Sequence, residues 1–187
     1  MSRVVLIHGS FGSPDENWFP WLKSQLEKQN INVVVPQFPI EEEQSFDSWI
    51  ETFKSEVGKV KETDVLVGHS IGVAFILGLL EHVDTRITGC VLVSGFMRTL
   101  GFNEFDQVNK TFIENKIDYQ KIKKKSDHFI MLHGDNDPYV PIEYGNEIAE
   151  NLNCQLIEIE NGGHLNEAAG YKEFPLVLQH IQSCISK

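Results

Sequence analysis

TDVLVGHSIGVAFILGLL, residues 63–80, is the stretch on which the reading of the fold turns. Val65-Leu66-Val67 is short, apolar and β-branched, as a buried strand requires, and Val73 to Leu80 is a continuous apolar run that suits a helix packed on that strand. Only Gly68-His69-Ser70-Ile71-Gly72 stands between them. The chain must reverse within about three residues, and glycine tolerates both the bend and the close approach of strand to helix. Ser70 can serve there as a helix N-cap or as a nucleophile. A Gly-x-Ser-x-Gly pentapeptide arises by composition in roughly one chain in sixteen of this length, so the motif alone leaves both roles open.

Five further runs share the character of the first: Val4-Val5-Leu6-Ile7, Val33-Val34-Val35, Cys90-Val91-Leu92-Val93, Phe129-Ile130-Met131-Leu132 and Gln155-Leu156-Ile157-Glu158-Ile159. All but the last are continuously apolar, as strands buried on both faces must be. The last alternates and reads as an edge strand. Helical patterns lie between them. One starts at Pro20 with Trp21, Leu22 and Leu26, and another carries Phe46, Trp49, Ile50, Phe53, Val57 and Val60 at three-and-four spacing. Others are expected at roughly 73–83, 104–124, 142–152 and 171–186. Strand and helix alternate throughout, which predicts a parallel sheet with right-handed crossovers and helices on both faces, in one domain spanning 1–187.

Composition narrows the function classes. The 187 residues are 41% hydrophobic and 23% charged, those of an ordinary globular chain, and the net charge is −11. A nucleic acid or an anionic membrane would be repelled. Lys121 to Lys125 reads as a solvated helix end, because no aromatic residue is interleaved with it. No apolar run approaches the ~18 residues of a membrane span, and the N-terminus lacks a signal-peptide core. Cys90, Cys154 and Cys184 are odd in number and widely spaced, which predicts reduced thiols and a cytoplasmic location. His8, His69 and His133 each adjoin a glycine at a strand end without a histidine partner at ligand spacing, so no metal site is expected.

In a parallel sheet of this kind, ligands sit beyond the carboxyl ends of the strands. Polar and glycine-rich segments collect there: His8-Gly9-Ser10-Phe11-Gly12, Gly68 to Gly72, His133 to Pro138, and Gly162-Gly163-His164. A serine hydroxyl attacks only when a base takes its proton, and that base must itself be oriented by a third group. Ser70 at one strand end is followed by an aspartate at a later one and by His164 at the last, the chain order of the α/β hydrolases. Asp135 and Asp137 both follow the fifth run, and the physics of the turn does not choose between them. Negative charge developing on a carbonyl oxygen calls for two backbone N–H donors. Ile71 would supply one, and Ser10 the other, with Phe11 as second choice.

HGSFGSPDENWFPWL (8–22), GHSIG (68–72), HGDNDPYVP (133–141) and GGHLNEAAGY (162–171) together resemble the small α/β-hydrolase-fold serine hydrolases related to retinoblastoma-binding protein nine and the bacterial YdeN-like proteins. The resemblance covers nearly the whole chain. It implies a minimal α/β-hydrolase fold, a six-stranded parallel sheet in the order 2-1-3-4-5-6. It also implies Ser70 as nucleophile, His164 as base and Asp137 as acid, since the family's G-x-x-D-x-x-V-P places the acid on Asp137 ahead of Val140 and Pro141.

The expected chemistry is acyl transfer from a small-molecule ester to water, without a cofactor. The base must start neutral, so kcat/KM is expected to rise with pH through about 6 to 7, where histidine side chains in general titrate. Ser94 to His128 is too short for a full cap domain. Its apolar residues Phe96 and Met97, with Phe11 and Trp18 near the oxyanion loop, are the expected substrate contacts, suited to a short apolar acyl group. Amide or aminoacyl-ester hydrolysis by the same triad is the alternative, as is an interaction module on a hydrolase frame. The L-x-C-x-E peptide associated with the family's name is not matched by Leu152-Asn153-Cys154-Gln155-Leu156, where leucine replaces the acid.

Overall fold

The computed structural model describes residues 2–126 and 128–186. Six strands, β1 (Arg3–Ile7), β2 (Asn32–Val34), β3 (Asp64–His69), β4 (Gly89–Val93), β5 (Phe129–Gly134) and β6 (Gln155–Ile159), form one parallel sheet in the order β2-β1-β3-β4-β5-β6. The helices are α1 (Phe19–Glu27), α2 (Phe46–Glu56), α3 (Ile71–His82), α4 (Asn103–Ile113), α5 (Tyr119–Ile122), α6 (Ile142–Leu152) and α7 (Pro175–Ile185).

The continuous apolar runs follow from this layering. Successive side chains of a strand point to opposite faces, and here both faces are covered. Val4, Leu6, Val65, Val67, Val91 and Val93 pack with α1 and α7 through Leu22, Leu26, Val177 and Ile181. Val5, Ile7, Leu66, Leu92 and Met131 pack on the other face with α2, α3 and α6 through Trp49, Phe53, Phe75, Ile76 and Ile148. Each such side chain contributes roughly 1.5–3 kcal/mol on burial. α3 is buried along its length from Ile71 to Leu80, which explains why its sequence is apolar all round rather than amphipathic. The outer strands differ: β2 is only three residues long, and β6 exposes Gln155 and Glu158.

Arg3 opens the apolar strand β1 and is itself buried. It stands in register with Asp64 of β3 and holds that carboxylate with two bonds of 2.9 and 2.7 Å. It also donates to the Val57 and Lys59 carbonyls, so the pair is satisfied rather than merely buried.

The single helix expected over 104–124 is two helices. α4 ends at Ile113, and α5 starts afresh because Asp118 caps it, accepting from the amides of Gln120 and Lys121. Lys121, at the end expected to be solvated, pairs with Glu81 at 2.9 Å.

From β1 the chain crosses outward to β2, then returns past β1 to β3. The strand order therefore reverses at β1, and a crevice opens above the carboxyl ends of β1 and β3. The segments after these two strands, His8 to Gly12 and Ser70, face each other across it.

Candidate active site

β3 ends at His69 and α3 begins at Ile71, so Ser70 alone makes the turn. Its backbone is held at φ 58° and ψ −123°, a conformation that costs a non-glycine residue on the order of 1–3 kcal/mol. A capping serine would donate nothing to this strain and would accept from a helix amide, but the Ser70 side chain makes no cap hydrogen bond. The turn is locked instead by the Ser70 amide, which donates to Val93 O at 2.9 Å. The flanking glycines are sterically required. A Cβ on Gly68 would lie 2.8 Å from the Gly72 carbonyl, and one on Gly72 would lie 2.5 Å from Ile7 O and 2.8 Å from His8 O.

His164 Nδ1–H donates to Asp137 Oδ2 at 2.7 Å, which leaves Nε2 as the ring nitrogen available to the cleft. The other carboxylate oxygen of Asp137 accepts from the amides of Tyr139 and Val140 at 2.9 and 3.0 Å. Burial pushes the Asp137 carboxyl up, but the hydrogen bond and charge of His164, with those two amides, outweigh it and hold the carboxyl below the usual range. Asp135 is employed elsewhere. Its Oδ1 accepts from the Asn161 amide at 2.7 Å, and Asn136 Oδ1 accepts from the Gly163 amide at 2.7 Å. The three residues of Asp135-Asn136-Asp137 thus grip the segment 161–164 from one side.

Three buried histidines hold the loops around it. Burial lowers the pKa of His8, His133 and His69, the last to about 3, so each is neutral with one donor and one acceptor nitrogen. His69 Nε2–H donates to the backbone carbonyl of His164 at 2.9 Å, tying the residue before the elbow to the loop carrying the imidazole. His133 Nε2–H donates to Val140 O at 2.9 Å, and His8 accepts from the Phe38 amide at 3.1 Å while donating to Gly9 O at 2.8 Å.

Ser70, His164, Ser10 and Phe11 line one cleft of about 280 Å³, with Gly9, Glu16, Asn17, Leu100, Phe105, Tyr139, Val140 and Asn166. Ile71 is fully buried beneath it, and as the first residue of α3 its N–H has no acceptor within the helix. Ser10 is anchored by its hydroxyl, which donates to Asn109 Oδ1 at 2.6 Å; Gln44 Nε2 donates to the same oxygen at 2.9 Å. Burial, with the charge of Glu167, raises the Glu16 carboxyl against the opposing pull of the Ser13 amide.

Three expected substrate contacts lie elsewhere. Trp18 is 0% exposed, packed on Phe19, His69 and Phe174, and its indole N–H donates to Leu165 O at 2.9 Å. Its role is to support the loop of His164 from below. Phe96 is buried in the core, and Met97 packs against that core rather than lining the cleft. Phe105 and Tyr139 are the aromatic side chains that line the cleft beside Phe11. A larger apolar groove of about 770 Å³ lies between α2 and the far end of α3, but neither serine nor cysteine lines it.

A strained serine at a switch point, opposite an imidazole that a carboxylate orients, is an arrangement suited to acyl transfer. Comparison with known proteins places the chain in a family. The chain is 30% identical to the YdeN protein of Bacillus subtilis (strain 168) over 187 residues, 99% of this chain and 97% of that one. It is 23% identical to the serine hydrolase RBBP9 of Rattus norvegicus over 192 residues, covering 99% and 96%. The crystal structure of the B. subtilis ydeN gene product superposes with a TM-score of 0.91 over 100% of both chains. Est1E from Butyrivibrio proteoclasticus, 16% identical, shares the fold with a TM-score of 0.71 over 100% of this chain and 89% of its own. The pattern of the serine hydrolase family matches residues 4–183, and the chain belongs to that family.

Proposed function

We propose that this serine hydrolase cleaves small carboxylic esters through an acyl-enzyme on Ser70. His164 Nε2 takes the Ser70 proton as Oγ attacks the ester carbonyl, then returns it to the departing alcohol. Asp137 keeps the imidazole in the tautomer that can accept that proton and stabilises the imidazolium. The N–H of Ile71 and that of Ser10, or of Phe11 next to it, receive the developing oxyanion. Water attacks the acyl-enzyme by the same proton route in reverse roles. No step calls for a cofactor.

The observation that carries this reading is the 2.7 Å bond between His164 and Asp137 at the rim where the uncapped, strained Ser70 stands. The confined volume of the cleft, about 280 Å³, favours a short acyl group, and the described residues between β4 and β5 form short helices rather than a full cap domain, which leaves it open. Exposure to a fluorophosphonate probe followed by peptide mass spectrometry tests the proposal. Labelling confined to Ser70 and lost in His164→Ala is expected. An unlabelled native protein, or labelling that survives in His164→Ala, refutes it.

A further inference from the structure

Large apolar side chains are kept out of water almost throughout. Among the described residues those that are exposed are Phe11 at 43%, Phe102 at 47% and Tyr139 at 43%. They come from three distant parts of the chain: the loop after β1, the residue before α4 and the loop after β5. Yet Phe105 links them into one group, of which Phe11, Phe105 and Tyr139 line the cleft and Phe102 packs on Phe105. Its ring centroid lies 5.6 Å from that of Phe11 with planes at 89°, 6.4 Å from Phe102 and 6.3 Å from Tyr139. Tyr139 then meets the His164 ring edge-on, at 5.2 Å and 85°.

A contiguous aromatic patch left to solvent marks a surface that something else covers. Phe11 supplies a second, independent sign. Its backbone is held at φ 58°, which a phenylalanine adopts only at a cost, and yet the side chain so placed is not used to fill the core.

The arc also has a direction relative to the chemistry. The imidazole hands its proton to the departing oxygen, so the alcohol half of an ester lies beside His164. Tyr139 stands against that imidazole, and Phe105 and Phe11 continue outward from it.

We propose that Tyr139, Phe105 and Phe11 form a specificity site for the alcohol half of the substrate, and that the preferred esters carry an aromatic ring there, as a benzyl ester does. The assignment rests on the acyl-transfer reading above. In the first step the bond from Ser70 Oγ to the acyl carbon forms and the bond from that carbon to the alcohol oxygen breaks. The Ser70 proton passes through His164 to that oxygen, and the aromatic alcohol leaves across the open rim. Water then takes the acyl group and restores the serine. The ring is held edge-to-face by its neighbours, the geometry such rings prefer.

Benzyl acetate and methyl phenylacetate make the test direct, because they are isomers with the ring on the alcohol half or the acyl half. With rates normalised to alkaline hydrolysis, kcat/KM should favour benzyl acetate by about tenfold, the product of two or three modest ring contacts. Phe105→Leu and Tyr139→Leu keep apolar bulk, and the latter keeps the amide that Asp137 accepts from. Each should bring the ratio down at least about threefold, and the double variant close to one. A ratio near one or inverted in the native protein, or a ratio that survives both substitutions, overturns the assignment. Fluorophosphonate labelling of the same samples separates the two levels. Labelled Ser70 without isomer preference removes only the aromatic-alcohol site, whereas unlabelled Ser70 removes the acyl-transfer reading and this site with it.

Discussion

Asp137→Asn tests how His164 is held, and the structure dictates which way the new amide must face. Asp137 Oδ1 accepts two backbone amides, from Tyr139 and Val140, so the asparagine must place its carbonyl oxygen there. Its NH₂ group is then forced toward His164 Nδ1, which can meet it only as an unprotonated acceptor. The imidazole proton moves to Nε2, and the nitrogen needed to deprotonate Ser70 is occupied. Loss of the carboxylate also removes the partner of the imidazolium. In a triad that loses its acid in this way, turnover falls about 10⁴-fold, or roughly 5.5 kcal/mol of transition-state stabilisation. Asp135→Asn is the matched control, because its Oδ1 accepts a single amide, that of Asn161, and an asparagine oxygen accepts equally well. It should stay within about threefold of the native rate, since a neutral acceptor weakens that one bond only modestly. The assay is kcat/KM with p-nitrophenyl acetate, alongside Tm to confirm that both variants fold. More than about a tenth of native activity in Asp137→Asn, or an equal fall in Asp135→Asn, refutes the assignment of the acid and the tautomer reasoning behind it.

The buried histidines predict an acid-sensitive fold. Unfolded histidines bind a proton near pH 6.5, whereas the lowered values of His8, His69 and His133 keep them neutral in the native state. Below that pH the unfolded chain binds more protons, so stability falls as pH falls, by up to about 1.4 kcal/mol per pH unit for each histidine. For His69 the fall continues toward pH 3. Urea midpoints at pH 7, 6 and 5 should decline, less steeply in His69→Gln, and a midpoint constant over that range would contradict the account. Gly72→Ala would place a methyl 2.5 Å from Ile7 O, and neither strand nor helix can yield locally. A cost of about 1–3 kcal/mol, or roughly 3–10 °C in Tm for a chain of this size, should appear with reduced hydrolase activity. Native-like melting and turnover would show that the elbow is looser than its contacts indicate.

The parts legible in the sequence were those fixed by local constraint or by burial on both sides. Continuous apolar runs marked β1 and β3 to β5, and the strand order came from the family resemblance. The glycines around Ser70 announced the elbow, because close backbone approach admits nothing else. Side-chain direction was not legible. Trp18 and Phe11 are aromatic residues seven positions apart in one loop segment, yet one is fully buried and the other lines the cleft, since only the finished packing decides which face each meets. Tyr139 was hidden in a motif read for its aspartate. Phe105 was hidden in a helix whose placement depends on a break at 114–118 that only Asp118, as a cap, could have signalled. The partner of His69 lies 95 residues away, and nothing local points to it.

The segment around His164 has almost no regular structure, yet four anchors fix it: Asp135 at Asn161, Asn136 at Gly163, His69 at the carbonyl of 164 and Trp18 at that of 165. A loop carrying a reactive group ordinarily surrenders conformational freedom when its substrate arrives, at a cost on the order of 1 kcal/mol or more per ordered residue. Here that ordering is completed during folding. Recognition then needs only to seat the substrate, and its full strength goes into selecting the molecule rather than assembling the apparatus that hydrolyses it.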